Sequence, residues 1–168
     1  MNDKNAQEKL GATASVLTSM NKMEKSEQMY SLSGSYFAGS NRTTYDPKSK
    51  KITLSFSTMA GFIHEVTHGG QIESGKLGYD KTTGAPVGHD VFDEKGAFRV
   101  QESLFPNSVP DELRDGNVNY NSLNKIKVNG ESIYKSINKT EMNGNTIVNG
   151  VKLKDNPNNL FIDNRKKK

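Results

Sequence analysis

Regular apolar periodicity in this chain is confined to the stretch before Pro106; beyond it, Asn and Gly interrupt every apolar run. This distribution limits where a core can form, because helices and strands are buried through apolar residues that recur at their own periods. With 32% hydrophobic residues and no Trp among 168, the expectation is a single unit over 1–168 with a lean, local core and long loops. The chain divides into a β-hairpin region at 31–57, a central core at 58–106 and an Asn/Gly-rich region with a basic tail at 107–168.

Over 6–30 the positions Ala6, Leu10, Ala14, Leu17, Met20 and Met23 recur at helical spacing, which predicts an N-terminal packing helix with one buried stripe. Thr43-Thr44-Tyr45 and the β-prone run at 52–56 flank a turn signal centred on Asp46-Pro47, which predicts a hairpin. Thr58 is an N-cap candidate; Met59, Phe62, Ile63 and Val66 then form the apolar face of a helix that either Gly69-Gly70 or Gly75 ends. After a Gly-containing loop at 76–89, Val91, Ala97, Val100 and Leu104 predict a further helix that Pro106 terminates. Asn129-Gly130, Asn143-Gly144 and Asn149-Gly150 favour tight hairpin turns, so the C-terminal region reads as hairpins or loops. The fold class is α+β.

The formal charge of +4 is matched by Arg165, Lys166, Lys167 and Lys168 at the end, so the body is close to neutral. No aromatic residues interleave with that run, and neither a nucleic-acid nor a membrane partner is expected. No apolar run approaches a membrane span, and residues 1–10 lack the apolar segment of a signal peptide. The absence of Cys excludes disulfides, thiol nucleophiles and thiolate-bound metals, so any metal must sit on His and carboxylate ligands.

Two of the three histidines in the chain fall in His64-Glu65-Val66-Thr67-His68. On a helix, residues four apart share one face, so both imidazoles can reach one ion. Shuffling this composition yields the pattern about once in 500 sequences, and its chemistry is well defined: two metal ligands with Glu65 between them as general base. Met59, Phe62, Ile63 and Val66 already fill the core-facing stripe, which leaves the histidines beside it to face a cleft. Imidazole plus carboxylate points to zinc, which needs a third protein ligand and an open position. His89, Asp80, Asp90, Asp93 and Glu94 are the candidates. Glu94 fits best, because Ala97, Phe98 and Gln101 continue one helical face from it and the small Ala97 permits close helix packing. Asp80, in Gly78-Tyr79-Asp80, is the alternative ligand, an aspzincin-like arrangement. His89, Tyr79, Arg99, Tyr120 and Tyr134 are of the right type to stabilise an oxyanion.

The segment 61–106 resembles the metallopeptidase toxin modules at the C-termini of bacterial RHS-repeat and related polymorphic toxins. The residues that carry the likeness are His64-Glu65-Val66-Thr67-His68-Gly69-Gly70-Gln71, the Tyr79-Asp80 step, and Asp93-Glu94-Lys95-Gly96-Ala97-Phe98-Arg99-Val100-Gln101. Gly69-Gly70 departs from the usual Ala-aromatic pair, and Gly96 stands where a longer side chain is common. The resemblance implies a zincin-like, gluzincin-type fold with 58–106 as catalytic core, zinc on His64, His68 and Glu94, and Glu65 catalytic. Ser74, rather than His, six residues after His68 argues against a metzincin. The implied activity is zinc-dependent endopeptidase cleavage of a protein or peptide substrate. The chain would be secreted or delivered as part of a larger bacterial protein, without a signal peptide of its own, and a cognate immunity protein would be its partner. The competing expectations are a non-catalytic zinc-containing binding module and a basic nuclease toxin.

Overall fold

The computed structural model describes residues 3–35, 41–148 and 150–155; the basic C-terminal run lies outside them. Helix α1 (Asp3–Lys25) is followed by strands β1 (Met29–Gly34), β2 (Arg42–Asp46) and β3 (Lys51–Phe56). β3 lies at the centre of a sheet ordered β1-β3-β2, parallel to β1 and antiparallel to β2. Then come α2 (Met59–Glu73), a two-residue ladder of β4 (Gly78–Tyr79) with β5 (Pro86–Val87), and α3 (Val91–Leu104). A short helix α4 (Tyr120–Leu123) and the ladders β6 (Lys127–Val128) with β7 (Glu131–Ser132) and β8 (Ile147–Val148) with β9 (Val151–Lys152) complete an α+β architecture.

The β2–β3 hairpin forms where the turn chemistry predicts it: Asp46 accepts from the Lys48 and Ser49 backbone N–H groups and the Ser49 hydroxyl. Along β3, Ile52 and Leu54 are fully buried and alternate with half-buried Lys51, Thr53 and Ser55. Each of these two aliphatic side chains contributes about 1.5–3 kcal/mol by leaving water. Together with Val16, Tyr45, Ile63, Val66, Ile72 and Leu77 they form the main core between sheet and helices. β1 is not expected from the sequence, which extends the first helix to Tyr30; instead α1 ends at Lys25 and Met29–Gly34 pairs with β3.

The buried stripe of α1 also differs from the expected one. Ala12, Val16 and Ser19 face the protein, whereas Leu10, Leu17 and Met20 are exposed. The cause lies in Gly69 and Gly70, which do not end α2 but let α1 approach it. A Cβ on Gly70 would fall 2.1 Å from Ser19 Oγ, and one on Gly69 2.2 Å from Met23 Sδ. Contact this close turns the face with Ala12, Val16 and Ser19 toward α2, with Met23 lying across Gly69. α2 continues to Glu73 and stops at Gly75, whose φ of 67° suits a left-handed helix end, with Lys76 N–H bonded to Gln71 O.

The C-terminal region builds a second cluster from Val109, Leu113, Val118, Leu123 and Ile137 against Val91 and Phe98 of α3. Asn129-Gly130 makes the expected hairpin turn between β6 and β7, both residues at positive φ. Asn143-Gly144 instead forms a plain turn, closed by Thr146 N–H to Asn143 O. Asn149 lies outside the described residues.

Candidate metal centre

α2 begins at Thr58, whose hydroxyl accepts from Gly61 N–H, and α3 begins at Asp90, which forms a reciprocal capping box with Asp93. The two helices pack with Ala97 fully buried. His64 and His68, one turn apart on α2, bring their Nε2 atoms to 3.1 Å. Glu94, from the first turn of α3, places Oε2 3.3 Å from His64 Nε2 and Oε1 3.3 Å from His68 Nε2. All three residues are buried, and as a group they could hold a metal ion.

The surrounding amides determine which imidazole nitrogens face inward. The Gln71 NH2 donates to the Asp93 carbonyl at 2.8 Å, and its Oε1 lies 2.7 Å from His68 Nδ1. The Gln101 NH2 donates to the Ser108 carbonyl and hydroxyl, and its Oε1 lies 2.9 Å from His64 Nδ1. An amide oxygen accepts only, so each Nδ1 carries the proton and, in the neutral ring, each Nε2 points a lone pair at Glu94. Glu94 Oε2 is buried without a hydrogen-bond donor. Lone pairs converging on one another in a buried site require a positive charge, either a proton on an imidazole or a metal ion. Two nitrogens bound to one tetrahedral zinc at about 2.0–2.1 Å would lie roughly 3.3 Å apart, close to the spacing found. The donor set therefore fits a divalent ion.

Without an ion, the cluster meets that requirement with a proton. For His68, burial is the largest influence and disfavours charge, but the charges of Glu94 and Glu65 and the bonds to Glu94 and Gln71 outweigh it and raise its pKa to about 10. Burial likewise opposes ionisation of Glu94, yet His68 and the contacts of all three histidines hold its carboxyl well below the usual range. The positive charge is then the second proton of His68, which a divalent ion would displace on binding.

A cavity of about 270 Å³ opens beside the cluster, and Thr43, Glu65, Leu77, Tyr79, Pro86, Ile133 and Tyr134 are among its lining residues. Glu65 is not part of the three-residue cluster; Thr43 Oγ1 donates to its Oε2 at 2.7 Å and holds the carboxylate at the wall. His89 Nε2 lies 2.8 Å from Glu94 Oε1 without joining the cluster. The Tyr134 hydroxyl bonds to Glu94, and burial, followed by the negative charge of Glu94, pushes its pKa well above 10.0. Of the five candidate oxyanion donors, Tyr79, His89 and Tyr134 line the cavity; Arg99 and Tyr120 do not.

Asp80 stands apart from the histidines. Its Oδ1 accepts from Thr82 N–H, Thr83 N–H and the Thr83 hydroxyl, which hold its carboxyl below the usual range and shape the loop after β4. Three contributors escape sequence reasoning: Thr43, the orienting role of the two glutamines, and the path that delivers Tyr134. That path runs through Asn138, which exchanges backbone bonds with His89 and Val91, and through Met142 N–H, which bonds to Asp90. Gln71 and Gln101 follow their histidine and Glu94 by three and seven residues. That spacing is a usable signal for helical side chains near a ligand.

No protein-family model, curated protein or solved structure matches this chain.

Proposed function

We propose that this chain is a zinc-dependent peptidase in which His64, His68 and Glu94 hold the ion and Glu65 is the general base. The observation that carries the reading is the convergence of two lone-pair Nε2 atoms and one buried carboxylate beside a cavity, with a second, unconverged carboxylate on the same helix. A purely structural metal site has no use for Glu65. Zinc bound there would supply Lewis acidity, polarising a carbonyl and bringing the pKa of a water toward about 7.

The remaining chemistry belongs to the chain. Glu65, oriented by Thr43, takes the proton of the attacking water and passes it to the departing amine. Gln71 and Gln101 keep both imidazoles in the metal-binding tautomer. The resemblance adds a biological setting to this proposal: a catalytic segment of a larger secreted bacterial protein, with an immunity protein as partner.

Glu65→Gln tests the reading, since the amide preserves shape and cannot accept a proton. The variant is expected to bind zinc with unchanged stoichiometry while peptide hydrolysis falls by at least about 10²-fold. Hydrolysis retained in Glu65→Gln would remove this residue from the mechanism and favour a non-catalytic metal site.

A further inference from the structure

A peptidase of this kind is expected to hold an extended substrate along an exposed strand edge of the hairpin that leads into its active helix. β3, which enters α2, is central in the sheet, so β2 supplies the edge of that hairpin, but its outer side is closed at two points. The Tyr79 hydroxyl donates to the Thr43 carbonyl at 2.7 Å. Gly84 sits so close to the Tyr45 carbonyl that a Cβ there would fall 2.7 Å from the oxygen, and 3.2 and 3.3 Å from the Pro47 ring.

The element that closes the edge is well braced. Tyr79 is buried and stacks on Tyr45 with ring centroids 5.9 Å apart. β4 pairs with β5, and the loop between them is tied by Asp80 N–H to Ala85 O, Gly84 N–H to Asp80 O and the three bonds to Asp80 Oδ1. The cavity that remains, about 270 Å³, is smaller than the roughly 300–1,000 Å³ of sites that take drug-sized ligands. Beyond the polar cluster its walls include apolar Leu77, Pro86 and Ile133.

We infer that the site accepts peptide ends or short peptides, with an apolar side chain near the terminus, and that Tyr79 is the specificity-determining residue that excludes mid-chain segments. The inference rests on the peptidase reading above and narrows it. A segment in the middle of a chain must continue past the scissile bond in both directions, and on the edge of β2 the Thr43 carbonyl that would accept from its backbone is already taken by Tyr79. A terminus needs room on one side only.

The test uses the full zinc-loaded chain and a nested set of peptides of one apolar-rich sequence, from a tetrapeptide to a chain several times longer. Each is offered with both ends free, with the amino end acetylated, with the carboxyl end amidated, and with both blocked; cleavage positions are read by mass spectrometry. Binding of the same set to Glu65→Gln is read by calorimetry. The expected result is cleavage within about three residues of one free end, with the singly blocked peptides identifying which end, and weak binding of the long, doubly blocked peptide. Tyr79→Phe, which keeps the ring on Tyr45 and frees the Thr43 carbonyl, is expected to bind and cut that blocked peptide roughly fivefold better, the worth of one neutral hydrogen bond. Interior cleavage of the blocked peptide by the wild type at the rate of short free ones would overturn the inference and leave the peptidase reading standing. End-directed cleavage with no change in Tyr79→Phe would overturn the role of Tyr79. Failure of the wild type to cut any peptide would overturn both readings.

Discussion

At Gln71 and Gln101 an amide whose NH2 is tied to the backbone leaves its oxygen facing an imidazole N–H. Removing either amide frees a histidine to adopt the other tautomer or rotate away. Gln71→Ala and Gln101→Ala are each expected to weaken metal binding by about 10- to 100-fold, measured by competition with a chromophoric chelator, with Glu65 left in place. Affinity unchanged in both variants would mean that backbone packing alone orients the rings. The motif residues themselves are legible in the sequence because His64, Glu65 and His68 lie within one helical turn, where spacing implies proximity. Thr43 and Tyr134 are not, because they reach the site from β2 and from the segment after β7, and no local pattern encodes those approaches.

Among the elements, the pair α1 and α2 shows how a correct helix can be assigned the wrong face. Leu10, Leu17 and Met20 have helical spacing and greater hydrophobicity, yet Ala12, Val16 and Ser19 are buried. The choice is made by Gly69 and Gly70 some fifty residues later, whose bare backbone lets α1 come close enough for Ser19 to sit over Gly70 and the Met23 side chain to lie across Gly69. The two glycines differ in what opposes them. At Gly70 a methyl group would meet Ser19 Oγ, Cβ and, at 3.2 Å, its Cα, whereas at Gly69 all three nearest atoms belong to the flexible Met23 side chain. Gly70→Ala is therefore expected to lower stability by about 1–3 kcal/mol through overpacking, and Gly69→Ala by less, because Met23 can rotate. Equilibrium urea unfolding compares them, and a larger loss in Gly69→Ala would contradict this packing. β1 was illegible for a related reason: its partner is the central strand β3, and parallel pairing at that distance leaves no turn signature between them.

At the scale of the whole molecule, the polar C-terminal third, expected as hairpins or loops, forms two short antiparallel ladders and also closes the site. Its apolar residues are too scattered for a periodic signal, yet they bury Phe98 and Val91 of α3, and Leu153 packs against Gly88 beside His89. Within the described residues no helix is long and apolar enough to cross a membrane. Burial, with the charges of Glu73 and Glu65 respectively, raises the phenols of Tyr30 and Tyr79 above their ordinary value of 10.0. The folded state thus holds these protons more tightly than the unfolded chain. The stability linked to them is intact below about pH 10 and declines as the pH rises above it. Tyr30→Phe is expected to flatten that alkaline decline in unfolding experiments, and an unchanged profile would remove Tyr30 as a contributor. The central claim is most directly tested by counting zinc. After equilibrium dialysis against limiting free zinc, the wild-type chain is expected to hold about one ion, removable by chelator, as is Asp80→Ala, while Glu94→Ala under the same conditions holds far less. Well under half an equivalent in the wild type, or full retention in Glu94→Ala with loss in Asp80→Ala, would contradict it.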